Sequence, residues 1–370
     1  MRYRIEKDSL GEKIIPAEAY YGIHSLRSKE TFEITKHGLC RQNIKALANI
    51  KKAHAKVNYD YKFIDKKKYD SIMLSCEEIL NGRLHGQFIT DSIQDGYGYG
   101  MNINACEVIA NRANEMLGSD KGRYDKVSIE DVNLNQDNDE VVILAGKIST
   151  IRLVKKMITE GKKLANSFLE VIEKYKIEGE LKEKMASFSA ILSRDLKRLD
   201  KAKNYLLEID YDSGANIEDE EMKKEYIEKV VKVIATNTTD KFFLSENPYD
   251  ASRCLDAFMS VSSSMKNMMV NLSKSAMDLK KMVRNQELYL PSLQNIGRDE
   301  ENLIVFDIVK QISYYTIGND LTISRCVEDG DLDENLNKPM IFACMYESIN
   351  LIRRTIRTMR EKAIEILEVK

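Results

Sequence analysis

The chain has 370 residues, 57 basic and 59 acidic side chains and a formal charge of -2. A chain this long buries roughly three quarters of its unfolded surface and needs no staples to fold, and its balanced charge, without a basic block, argues against a nucleic-acid surface. Only four prolines occur (Pro16, Pro248, Pro291, Pro339), so 231 consecutive residues from Ala17 to Asn247 lack one; long helices are permitted almost throughout and an all-β fold is excluded. The 16 methionines and absent tryptophan suit helix packing with an adaptable filler.

The first region, to about residue 140, is broken by Gly22, Gly38, Asn81-Gly82, the run Gly96-Tyr97-Gly98-Tyr99-Gly100 and the polar stretch Asp131 to Glu140, and predicts short helices joined by loops. From Gly146 the pattern becomes regular, with Ile151, Val154, Ile158, Ala165, Phe168 and Ile172 on one stripe. That predicts a helix of roughly seven turns or more. Shorter helical stretches follow at about Leu181 to Glu208 and Ile304 to Ser324. Two long ones run from Ser252 to Val283, with a methionine stripe read as core or subunit packing, and from Lys338 to Leu367.

The six cysteines (Cys40, Cys76, Cys106, Cys254, Cys326, Cys344) show no zinc spacing and read as reduced thiols. No export signal and no run of about 18 apolar residues is visible. The expectation is a cytoplasmic protein with no membrane partner.

Candidate chemistry is sparse. His24, His37, His54 and His85 lack any metal-binding spacing and read as structural. The glycine cluster lacks the spacing and the preceding strand of a phosphate loop. The run from Asp131 starts like a calcium loop but has Gln136 at the turn position and Val142 where the bidentate carboxylate belongs. It reads as a loop and a helix N-terminus, where acids suit the helix dipole. No metal or cofactor is expected, and no nucleophile or carboxylate pair stands out by spacing.

Several stretches nonetheless resemble a known family. RIEKDSLGEKIIPAEAYYGIHSLRSKETFEI (Arg4 to Ile34), GQFITDSIQ (Gly86 to Gln94), MNINACEVIANRANEMLG (Met101 to Gly118) and IGNDLTISRCVEDGDLDENLNKP (Ile317 to Pro339) are similar, in that order, to segments of the aspartase/fumarase superfamily. Within it they are most like the bacterial aspartate ammonia-lyase family. The last segment retains Gly318, Asn319, Asp320, Glu328, Gly330, Leu332, Asn335 and Pro339 of the pattern GND…EAGQLxLNxxxP. The resemblance implies an all-α fold: a small N-terminal helical domain, residues 1–140, and a central long-helix oligomerisation domain, residues 141–370, with the family's C-terminal domain absent. It also implies a homotetramer whose sites are shared among subunits. In such enzymes a loop serine removes a proton from Cβ and ammonia leaves from Cα, with hydrogen-bond donors and a cation around two substrate carboxylates.

The departures fall on the residues that perform this chemistry. Where the family has GGAGTS, this chain reads Asp95 to Gly100, so Tyr99 and Gly100 replace the carboxylate-binding Thr and Ser, and Tyr99 is expected to fill ligand space. Where it has SQSTND, the chain has Asn135, Gln136, Asp137, Asn138, Asp139 and Glu140, with Asp137 and Asp139 in place of donors. GRTHLQDA is missing. In the base-bearing motif no serine follows Ser292, Glu300 replaces the substrate-binding lysine, and Asn302 fits the motif's Asn. A carboxylate about 4 Å from a substrate carboxylate costs on the order of 4 kcal/mol at an effective dielectric near 20, enough to weaken a dicarboxylate roughly a thousandfold. Against this stands a plainer reading, in which the acids cap helices or sit in solvent.

The leading expectation is therefore a catalytically degenerate aspartase-like protein. It would serve as an oligomeric scaffold or regulatory subunit, in a homo-oligomer (tetramer or dimer) or in a hetero-oligomer with a full-length aspartase. The alternative is a divergent carbon–nitrogen or carbon–oxygen lyase with a changed, non-aspartate substrate. In that case Asn138, Glu140, Arg298, Asp299 and Asn302 would line a rebuilt cleft suited to a cationic or metal-bound ligand.

Overall fold

The structure is a computed structural model that describes residues 2–211, 217–247, 255–291, 303–330 and 335–369. Its chain opens on an antiparallel hairpin, β1 (Tyr3–Asp8) and β2 (Gly11–Pro16), in which Asp8 pairs with Gly11 across a two-residue turn. The hairpin departs from the expectation of helices and loops. Ile5 and Ile14 are exposed and only Ile15 enters the core, so the alternation that marks a half-buried strand is missing from the amino-acid pattern. The Arg4 guanidinium ties the hairpin down through the carbonyls of Pro16, Ala19 and Tyr21.

Eleven α-helices lie among the described residues: α1 (Ile23–Thr31), α2 (Arg41–Asp60), α3 (Lys66–Leu80), α4 (Tyr99–Met116), α5 (Ile129–Val132), α6 (Asn138–Lys174), α7 (Gly179–Asn204), α8 (Glu220–Thr238), α9 (Asp256–Arg284), α10 (Ile304–Glu328) and α11 (Lys338–Met359). A short parallel pair, Glu208–Ile209 with Phe243–Leu244, is the second sheet. Local signals place several starts. Asp65 caps α3 by accepting from Lys68 N at 3.0 Å, and Ser128 with Asp131 forms a capping box on α5. No helix among the described residues is long and apolar enough to cross a membrane.

The chain divides into two compact units. The first gathers Met1–Ser149, Leu206–Leu255 and Cys326–Ala343; the second gathers Thr150–Tyr205, Asp256–Arg325 and Cys344–Lys370. In the first, α2 packs against α3 and α8, and Ile44, Leu47, Ile50 and Val57 of α2 are buried at helical spacing. His54, on the same face, is fully buried between the hydroxyls of Tyr226 (2.9 Å) and Tyr211. In the second, α7 runs along α9. The α9 stripe Phe258, Met265, Met268, Met269, Leu272 and Leu279 is buried, which makes the methionines core filler.

Candidate active-site region

The residues that the sequence singles out gather around two helix N-termini of the first unit. At α4, the Asp95 carboxylate accepts from the backbone N–H of Tyr99 at 3.0 Å and of Gly100 at 3.3 Å. These donors are left unsatisfied by any helix and sit at its positive end, so an anion is favoured there. Here the anion belongs to the chain. A β-carbon on Gly100 would meet Ser28 Oγ and Gln94 Oε1, side-chain ends that would have to turn aside to admit it. Gly96 is more firmly confined, its missing side chain replaced by the backbone of Leu336. Tyr99 does not fill that space; it is exposed. The tyrosine that turns toward the charged groups is Tyr97, whose ring centroid lies 5.8 Å from Lys338 Nζ.

At α6 the acids divide into two roles. Asp137 caps the helix, its Oδ1 accepting from Asp139 N at 2.8 Å and Glu140 N at 3.3 Å, as the plainer reading of the acidic run supposed. Asp139 instead accepts from Lys338 Nζ at 2.7 Å. Lys338 is completely buried, whereas the Asp139 side chain keeps 34% exposure. Lys338 is also the first residue of α11, where a helix dipole repels an ammonium, so Asp139 offsets both burial and dipole. Lys147 donates to the Glu208 carbonyl at 2.7 Å. Burial raises the Asp210 carboxyl above the ordinary carboxylate range, with Lys147 and Lys338 pulling the other way.

Asn138 joins the two helix ends. Its amide donates to the Tyr97 carbonyl at 3.1 Å and its oxygen accepts from Asn102 at 3.2 Å. Asn135 is turned elsewhere: buried, with φ of 58°, it donates to Asn58 Oδ1 at 2.9 Å. The structure thus brings Gly100, Asp137, Asn138 and Asp139 together and directs Asn135 into the core and Tyr99 outward. Glu140 lies in the first turn of α6. Arg298, Asp299, Glu300 and Asn302 lie outside the described residues.

The sequence pattern does not single out Asp95, Lys338, Lys147 or Asp210. Lys338 lies within the family-like Asn335 to Pro339 motif, but nothing local links it to Asp139, 199 residues away.

A mostly helical chain with long central helices and a site at helix N-termini defines the class, that of the fumarase-type lyase fold. Solved structures agree. The fumarate lyase:delta crystallin of Brucella melitensis superposes with a TM-score of 0.92 at 29% identity, covering 100% of this chain and 89% of that one. The class II fumarase of Schistosoma mansoni shares the fold, with a TM-score of 0.91 at 22% identity over 100% and 85% of the two chains. A lyase family model matches residues 11–177. The aspartate ammonia-lyase of Bacillus subtilis (strain 168) is 34% identical over 388 residues, spanning 99% of this chain and 82% of the relative. That of Escherichia coli (strain K12) is 30% identical over 386 residues, spanning 98% and 81%. The chain belongs to the aspartase/fumarase superfamily.

Proposed function

We propose that this member of the superfamily is a non-catalytic, oligomer-forming protein whose substrate-binding positions are occupied by its own charged groups. The observation that carries the reading is the carboxylate of Asp95 on the α4 N-terminal amides. An external carboxylate would have to displace a covalently attached one already at very high effective concentration. The Asp139–Lys338 pair supports it in the same way, because a dicarboxylate approaching Lys338 meets Asp139 first. Gly100 supports it further, since a serine there would require Ser28 and Gln94 to move aside.

The scaffold half of the proposal rests on α10. Tyr314, Ile317 and Leu321 stand exposed at three- and four-residue steps, opposite a buried stripe of Val305, Phe306, Val309 and Ile323. A helix apolar on both sides is one that packs on both sides. The proposed organisation is a lyase-like part, residues 1–140, and an oligomer-forming part, residues 141–370, that assembles with itself or with a complete aspartase. One preparation tests both halves. Purified protein given L-aspartate is expected to yield no fumarate absorbance, and native mass spectrometry is expected to show a dimer or tetramer. Fumarate release at an ordinary enzymatic turnover, or a monomer that captures no aspartase from its own cells, overturns the respective half.

A further inference from the structure

The second unit carries a cationic groove that the site above does not use. Along α7, Arg194, Lys197, Arg198 and Lys201 are spaced three and four residues apart and so form one ridge. Two adjoining hollows follow it. One, of about 190 Å³, lies between α6 and α7 and is lined by Ile158, Lys162, Ser193, Leu196, Lys197 and Asp200. The other, of about 460 Å³, is lined by α7 alone and shares Ser193 and Lys197 with the first. Ser193 and Lys197 line both, so the two hollows adjoin along one open groove.

Its charge is answered only in part. Buried Asp195 accepts from Asn271 at 2.7 Å and pairs with Arg198 at 3.1 Å and with Arg194 at 3.8 Å, and Asp200 holds Lys203 at 2.6 Å. Lys162, Lys197 and Lys201 form no ion pair among the described residues. Ammonium groups of like sign on one exposed surface repel one another, and a polyvalent anion relieves that repulsion. The floor differs in character. Ile158 and Leu196 are buried and apolar, and they offer a surface for a flat or apolar group beside the charges.

We propose that this groove binds an organic polyphosphate, with phosphoryl oxygens on Lys162, Lys197 and Lys201, the Ser193 hydroxyl donating to one of them, and the organic moiety on Ile158 and Leu196. Ammonium groups act as point charges that suit phosphate without fixed geometry. The proposal is independent of whether the first unit's site is active.

Calorimetric titration of the purified full chain with ATP, inorganic tripolyphosphate and adenosine tests it. ATP is expected to bind saturably and to weaken as salt rises, tripolyphosphate to bind several-fold more weakly, and adenosine not at all. The triple variant Lys162→Gln/Lys197→Gln/Lys201→Gln should lose about 30-fold in ATP affinity, from three exposed charge contacts together. The matched variant Lys7→Gln/Lys66→Gln/Lys67→Gln, which removes exposed lysines of the first unit, should leave it unchanged. Absence of saturable ATP binding, equal weakening in the two variants, or tripolyphosphate binding as tightly as ATP each overturns the assignment. Because every substituted side chain is exposed, a circular-dichroism melt matching the parent identifies weakened binding as loss of contact rather than of fold.

Discussion

Asp95, Asp137 and Asp139 in the first unit each have a partner within the chain: two helix N-termini and a buried lysine. In the second unit the balance is reversed. Lys162, Lys197 and Lys201 face solvent without an ion pair among the described residues, and Tyr314, Ile317 and Leu321 expose apolar surface. The contrast separates a region where charged groups hold each other from surfaces whose groups are left open. Closing a polar site needs only a few side chains of opposite sign, because each desolvated charge finds a fixed partner. An exposed helix face costs nothing to leave open unless it is large and apolar, and α10 carries such a stripe.

The largest test lies on α10 itself. Phe306→Ala, on its buried face, should lower unfolding free energy by about 4 kcal/mol, the usual cost of an aromatic cavity. Leu321→Ala, on the exposed face of the same helix, should change the dissociated chain by less than about 0.5 kcal/mol. Urea melts of both, read beside native mass spectra, show whether the outer stripe acts only in assembly. Equal destabilisation of the isolated chain would erase the contrast between the two faces.

A smaller effect belongs to the first unit. Asp139→Asn leaves the ammonium of fully buried Lys338 without its carboxylate and should cost about 3 kcal/mol, whereas Lys338→Met leaves Asp139 able to rehydrate and should cost about 1 kcal/mol. The double variant should fall well short of the sum of the two. Strict additivity in a urea double-mutant cycle would mean the pair does not close the site.

The smallest effect is a pH dependence. Burial holds the His54 imidazole well below its ordinary value of 6.5, with Lys51 adding to the shift. The unfolded chain takes up a proton near 6.5 that the folded chain refuses, so stability is fully present above that pH and declines as pH falls below it. His54→Gln should flatten thermal stability between pH 7 and 5. A parent profile already flat there would place His54 in water rather than between two tyrosines.

Much of the helical framework is legible in the amino-acid pattern. The stripe Ile151 to Ile172 forms the second-unit length of α6, and the methionine stripe forms the core face of α9, because helical periodicity is a local property. The end of α3 at Asn81-Gly82 is where the breaker signal stands, with Gly82 at φ 91°. The hairpin is hidden because Ile5 and Ile14 face solvent and only Ile15 is buried. Asp95 is hidden because the value of a carboxylate depends on which N–H groups the backbone turns toward it. Lys338 and Asp139 stand 199 residues apart, beyond any local pattern.

The amino-acid sequence alone determined the helical class and the family, since these follow from periodicity, proline placement and ordered motifs. Only the tertiary structure decided what the acids at the two helix N-termini do. Asp137 caps a helix, Asp139 neutralises a buried ammonium, and Asp95, which no sequence pattern singles out, occupies the α4 N-terminus. Composition counts charges, but whether a charge repels a ligand, caps a helix or completes an ion pair depends on distances of about 3 Å that only folding sets.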